Sequence, residues 1–256
     1  MIARLFNQDC REGLKRIAPL SVDTIVTSPP YNIGADYASY DDNKDENLYL
    51  SFLADVFVEI RNKMTEGASL FLNVGSKPTN PIFPHRVASV VSDILCLQNT
   101  FHWIKSVTID KSGTQISAGH FKPINSKRFV NDCHEYIFHF SKNGSAELDR
   151  LAVGVEYADI SNTKRWKAGN TKRCRGNNWF IPYSTVQAKK FHPATFPEAL
   201  VERCLAVSGG ATNKVIMDPF MGVGTTGIVA KRLGAREFVG FEIDKIYFDI
   251  AQNGLK

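Results

Sequence analysis

One junction constrains this chain more than any other. Asp218-Pro219-Phe220-Met221-Gly222-Val223-Gly224-Thr225-Thr226-Gly227 links an apolar run, Lys214 to Asp218, to a segment of helical spacing from Thr225 to Leu233. A second apolar run, Glu237 to Phe241, and a helix from Lys245 come next. A strand, a glycine-rich turn, a helix and another strand make the unit of a parallel sheet covered by helices. The amino-terminal half repeats the alternation. Strand-like runs occur at Asp23 to Ser28 and Ser69 to Val74, with helices at Leu48 to Met64 and Pro84 to Leu97. Further strands are expected at Phe101 to Ile109 and His134 to Phe140, bracketing a polar loop, Asp110 to Asp132. The fold class is therefore α/β.

The glycine turn carries chemistry as well as topology. Gly222-x-Gly224-x-x-Gly227, with Glu242 twenty positions after Gly222, has the form of a nucleotide-binding fingerprint. Glycines let backbone approach a ligand, and a carboxylate at the next strand end accepts hydrogen bonds from both hydroxyls of a ribose. No lysine precedes Thr225, which argues against a phosphate-binding loop for a nucleoside triphosphate. Asp218, at the end of its strand, puts a negative charge beside the turn. That charge would repel a pyrophosphate and suit the sulfonium and ammonium groups of S-adenosylmethionine. A NAD-dependent oxidoreductase is the rival reading of this segment.

The second informative segment is Thr27-Ser28-Pro29-Pro30-Tyr31, at the end of a buried strand, where open parallel sheets place their ligands. Two consecutive prolines fix two backbone angles and remove two N–H donors, leaving a stiff turn rich in acceptors. Ser28 Oγ and the Pro29 carbonyl can both accept from one amino group, and Tyr31 offers a ring to a flat substrate.

Length and composition agree with such an enzyme. With 256 residues, 43% of them hydrophobic and 22% charged, the chain can bury a full core as one domain with an insertion. The net charge of +5 permits a polyanionic partner. Five scattered cysteines without a Cys-x-x-Cys pair read as reduced thiols, and no apolar run has the length of a signal peptide or membrane span. A cytoplasmic location is expected. Between Lys142 and Lys190 the periodicity weakens. Lys164, Arg165, Lys167, Lys172, Arg173 and Arg175 put six positive charges into twelve residues, and no acid occurs from Ser161 to Lys190. Such a stretch fits phosphate contacts, as do Lys122, Lys127 and Arg128 in the polar loop. His134 and His139, five apart on a strand, face opposite sides, so structural roles and no metal site are expected.

Ser-Pro-Pro-Tyr followed by Asp-Pro-Phe-x-Gly-x-Gly-Thr-Thr resembles the amino-methyltransferases of DNA restriction-modification and related systems, over nearly the whole chain. Asp9-Cys10 resembles the strand end that contacts the cofactor adenine. His192-Pro193-Ala194-Thr195-Phe196-Pro197 resembles the motif beside the cofactor methionine. Val239 to Asp244 resembles the ribose-binding strand. The motif order is that of the family's beta group, which implies a seven-stranded, Rossmann-like, circularly permuted methyltransferase sheet with one antiparallel hairpin. It further implies a catalytic part over 1–141, a target-recognition insertion over 142–190 and a cofactor-binding part over 191–256. The implied cofactor is S-adenosyl-L-methionine, held by Asp9, Cys10, Thr27, Thr195, Phe196, Asp218, Pro219, Phe220, Gly222, Gly224, Thr225, Thr226, Glu242 and Ile243. The implied catalytic residues are Ser28, Pro29, Pro30 and Tyr31.

The implied substrate is double-stranded DNA with the target base flipped out. The serine version of the motif resembles cytosine N4 enzymes, whereas Asp or Asn there usually accompanies adenine N6 methylation. An RNA substrate, an inactive cofactor-binding regulator, a companion restriction endonuclease and a homodimer all remain open.

Overall fold

The computed structural model describes residues 1–32, 42–121, 124–158, 171–182 and 196–256. In chain order these form β1 (Ile2–Asn7), α1 (Cys10–Leu14), β2 (Val22–Thr27), α2 (Glu46–Lys63), β3 (Met64–Val74), α3 (Phe83–Ser92), β4 (Cys96–Ile104), β5 (Ser106–Lys111), β6 (Thr114–Gly119), β7 (His134–Ser141), β8 (Val155–Glu156), β9 (Lys172–Arg173), β10 (Asn178–Phe180), α4 (Glu198–Val207), β11 (Val215–Asp218), α5 (Thr225–Arg232), β12 (Glu237–Glu242) and α6 (Lys245–Leu255).

The main sheet has the order β1-β12-β11-β2-β3-β7-β4-β10, and only β7 runs against its neighbours. The carboxyl ends of seven strands therefore share one edge with the start of β7. Central strands are apolar on both faces because helices cover both. Ile25, Leu70, Leu72, Met217 and Val239 join one core with Leu53, Phe57 and Ile60 of α2. Val26, Phe71, Ile216 and Phe238 join the other, with Leu200, Leu205 and Val229 of α4 and α5. The period-two alternation of each strand feeds both cores. Helix α2 illustrates the local logic. Asp45 caps it by accepting from the Asn47 and Leu48 amides, and Tyr49, Leu53, Val56, Phe57 and Ile60 form its buried stripe. Each such side chain contributes on the order of 1.5–3 kcal/mol by leaving water.

Four expectations need correction. The helix expected over Pro84 to Leu97 stops at Ser92, and Cys96 already pairs with Ser141 of β7. Sheet pairing overrides the helical spacing of Ile94, Leu95 and Leu97. The strand expected over Phe101 to Ile109 divides at Lys105 into β4 and β5. The polar loop holds a hairpin, β5 with β6, turning at Ser112 and Gly113, both at positive φ as a two-residue turn requires. Finally, the sheet has eight strands. β10 adds to the β4 edge from within the segment assigned to the insertion, and Trp179 is fully buried there, 4.4 Å from Phe101. Among the described residues no helix is long and apolar enough to cross a membrane.

Candidate functional site

At the carboxyl edge of the sheet, four junctions enclose one cavity: β1 to α1, the segment after β2, β11 to α5, and β12 to α6. The glycine turn is shaped by its own backbone. Gly222 and Gly224 have φ of 54° and 89°, left-handed conformations that an L side chain resists, and Gly224 is the N-cap of α5. The Gly222 amide donates to Glu242 Oε2 and the Asp244 amide to Glu242 Oε1, each at 2.8 Å. One carboxylate thereby ties the glycine turn to the start of α6. Burial raises the Glu242 pKa against these two hydrogen bonds, with Asp244 and Asp218 adding repulsion. A carboxylate has about four lone-pair sites, so two remain for a ligand.

Asp218 does something else. Its carboxylate accepts from Thr27 Oγ1 at 2.7 Å, Thr226 Oγ1 at 2.8 Å and the Phe220 amide at 3.1 Å. Burial pushes its pKa up to about 6 against those three donors. The expectation that Asp218 offers its charge to a ligand is corrected: it is turned inward as the pin between β2 and the glycine turn. Thr27, Thr226 and Gly224 likewise lie behind the cavity wall. Pro219, Phe220, Gly222, Thr225, Glu242 and Ile243 line it, as does Phe196.

Ser28, Pro29, Pro30 and Tyr31 form the opposing wall. The Pro30 carbonyl accepts from Tyr49 Oη at 2.5 Å, which clamps the turn onto α2. Ser28 Oγ donates to Tyr31 Oη at 2.8 Å, and Tyr31 Oη donates to Glu135 Oε2 at 2.9 Å. Asn73 Nδ2 donates to Tyr31 Oη and, at 2.6 Å, to Glu135 Oε2. Burial, and then the Glu135 charge, hold the Tyr31 phenol well above its ordinary pKa. It works as a neutral hydroxyl.

Asp9 and Cys10 line the cavity at the head of α1. Asp9 caps that helix through the Arg11 amide and grips the Arg11 guanidinium at 2.7 Å. Burial opposes the shift, but those bonds take the Asp9 pKa below the ordinary range. Burial pushes the Cys10 thiol up to about 12, so it is no nucleophile at neutral pH. Sequence reasoning missed Gln8, whose buried Nε2 lacks a hydrogen-bond partner, and Arg11, which lies 4.9 Å over the Phe52 ring at the same wall. Both flank Asp9 in sequence, and that proximity was the available signal.

Thr195, Lys122, Lys164, Arg165 and Lys167 lie outside the described residues. Lys127, Arg128, Lys172 and Arg173 are exposed, the last two on β9. Arg175 instead donates to the Val153 carbonyl at 2.8 Å. His139 is buried and bonded to Ser69 and Asn99, and His134 packs on Tyr136.

The chain matches the family model described as DNA methylase (N6_N4_Mtase) over residues 22–253. It is 30% identical over 262 residues to the type II methyltransferase M.ScaI of Streptomyces caespitosus, covering 98% of this chain and 81% of that protein. It is 28% identical over 249 residues to the DNA adenine methyltransferase YhdJ of Escherichia coli K12, covering 95% and 79%. Its fold is shared with the PvuII DNA methyltransferase (cytosine-N4-specific), at a TM-score of 0.73 and 18% identity over 100% of this chain and 87% of that one. It is also shared with a DNA modification methylase of Thermus thermophilus in complex with S-adenosyl-L-methionine, at a TM-score of 0.63 and 24% identity over 99% and 93%.

Proposed function

The chain belongs to the N6/N4 DNA methylase family, and on that premise we propose that it methylates the exocyclic N4 amino group of a cytosine in double-stranded DNA, with S-adenosyl-L-methionine as donor. One observation carries the reading. The Ser28-Pro29-Pro30-Tyr31 turn faces the same cavity as Gly222 and Glu242. A nucleoside cofactor on the glycine side and an amino group on the proline side would meet there.

The cavity fits the cofactor in its chemistry. Glu242 retains lone pairs for ribose hydroxyls, Gln8 has an unpartnered buried amide for a heterocycle, and Phe196, Phe220 and Ile243 supply apolar wall. When bound, the cofactor supplies an electrophilic methyl group. The chain's own residues position the acceptor. The Ser28 hydroxyl oxygen and the Pro29 carbonyl each accept one amino proton, which draws the nitrogen lone pair out of conjugation. Orientation of this kind is worth up to about 7–11 kcal/mol in well-aligned systems. The target base must leave the helix at a cost of a few kcal/mol, and the Tyr31 ring at the cavity wall is placed to recover part of it. The basic residues Lys127, Arg128, Lys172 and Arg173 serve as phosphate contacts.

Ser28→Ala tests the reading. S-adenosyl-L-methionine binding, followed by calorimetry, stays within about threefold, while methyl transfer to DNA falls by about 10²–10³, the usual loss for one preorganised polar group. Wild-type turnover in that variant would refute the role of Ser28. A second reading, adenine N6, is favoured by the likeness to YhdJ. Mass spectrometry of the methylated nucleosides separates the two.

A further inference from the structure

The hydrogen bonds behind the Ser28 turn have a direction, and the direction has one source. Glu135, at the second position of β7, is 13% exposed and pairs with Lys105 Nζ at 2.5 Å. Lys105 sits between β4 and β5, with its amide bonded to the Cys133 carbonyl, so the pair closes across the ends of neighbouring strands. An ionised carboxylate accepts hydrogen bonds and donates none. The lysine beside it favours that ionised form.

The acceptor at Glu135 fixes each proton in turn. Tyr31 Oη must donate its only proton to Glu135. Its oxygen can then only accept, and it accepts from Asn73 Nδ2 and from Ser28 Oγ. The Ser28 proton is thereby committed to Tyr31. What Ser28 still presents at the cavity wall is acceptor capacity alone. Asn73 reinforces the direction, since the same amide nitrogen donates to both Tyr31 and Glu135. With a neutral, two-faced group at position 135 the order could reverse. Tyr31 would then donate to Ser28, and the serine proton would compete for the site where an amino proton must be received.

We propose that Glu135, held by Lys105, is a positioning residue that polarises the Tyr31–Ser28 hydrogen bonds so that Ser28 meets the target amino group as an acceptor. The proposal deepens the methyltransferase reading and rests on it. Glu135 touches neither substrate nor cofactor, and its influence travels through two hydroxyl groups.

A double-mutant cycle in the full-length protein tests this. Glu135→Gln keeps shape and hydrogen-bonding reach but can donate as well as accept. Tyr31→Phe cuts the connection to Ser28. Steady-state methylation of DNA gives kcat and KM, and calorimetry gives the affinity for S-adenosyl-L-methionine. The expected result is a fall in kcat of about 10–100-fold for E135Q, within the range seen when one preorganised group is lost. KM for DNA and cofactor affinity should stay within about threefold. In the Tyr31→Phe background, E135Q should change kcat by less than about twofold, because the two act through one path. Wild-type kcat in E135Q, or losses that multiply in the double variant, would overturn the proposal while leaving the methyltransferase reading intact. A wild-type protein that transfers no methyl group would refute that reading, and the proposal with it.

Discussion

Two buried titrating groups pull the stability of this protein in opposite directions, and removing one should expose the other. Asp218 titrates near 6 when folded against an ordinary value of 3.8, because burial outweighs the bonds from Thr27, Thr226 and Phe220. The folded state therefore binds the proton more tightly than the unfolded chain. Stability is reduced above pH 6 and recovers as pH falls from about 6 towards 3.8, by about 3 kcal/mol at 1.36 kcal/mol per pH unit. His139 is the mirror case. Burial lowers it from 6.5 to about 4, so the unfolded chain takes up the proton first, and about 3 kcal/mol is lost between pH 6.5 and 4. In the wild type these slopes largely cancel, with Glu242, also raised, adding to the Asp218 side. Asp218→Asn removes one slope. Between pH 7 and 4.5 the variant should lose about 2 kcal/mol more than the wild type, an appreciable part of the 5–15 kcal/mol typical of a domain. Urea unfolding at half-unit pH steps, with m held common, measures the difference. His139→Gln should show the reverse trend, gaining stability relative to wild type as pH falls. Parallel profiles for Asp218→Asn and wild type would refute the assignment of Asp218 as a buried carboxylate with a raised pKa.

The glycine turn, the Ser-Pro-Pro-Tyr turn and the strand–helix alternation were legible because each is a local pattern. What escaped was non-local. The inward direction of Asp218 depends on Thr27, 191 positions away. Glu135, Asn73 and Lys105 are polar residues on or beside apolar strands, and only the antiparallel placement of β7 between β3 and β4 brings them behind Ser28. The β5–β6 hairpin has a Ser112-Gly113 turn that local rules recognise, but its strands are almost wholly exposed, so they lack the buried alternation that marks a strand. Trp179 was hidden by composition. The basic, asparagine-rich surroundings read as insertion, while the indole reaches the core and Trp103 Nε1 fixes the following Ile181 carbonyl at 2.8 Å. Patterns of one element are visible in sequence, whereas the polar bonds between elements depend on the register that packing selects.

Close contacts and exposed charge give two further expected outcomes. A Cβ at Gly227 would stand 2.6 Å from the Phe238 ring and 2.9 Å from Leu255, so Gly227→Ala should destabilise by about 1–3 kcal/mol. Thermal unfolding reads this, and Phe238→Leu in the same chain should restore part of the loss; an unchanged melting temperature for Gly227→Ala would refute the packing argument. Lys172 and Arg173 stand exposed on β9, whereas Arg175 is spent on the Val153 carbonyl. If the first two hold phosphates, neutralising each should lower the slope of log K against log salt by about 1 and weaken binding to all DNA sequences alike. Arg175→Gln should leave that slope unchanged and act on stability instead, because its guanidinium secures the segment that presents β9. Equal slopes for Lys172→Gln, Arg173→Gln and wild type, measured by fluorescence anisotropy between low and physiological salt, would remove β9 from the DNA interface.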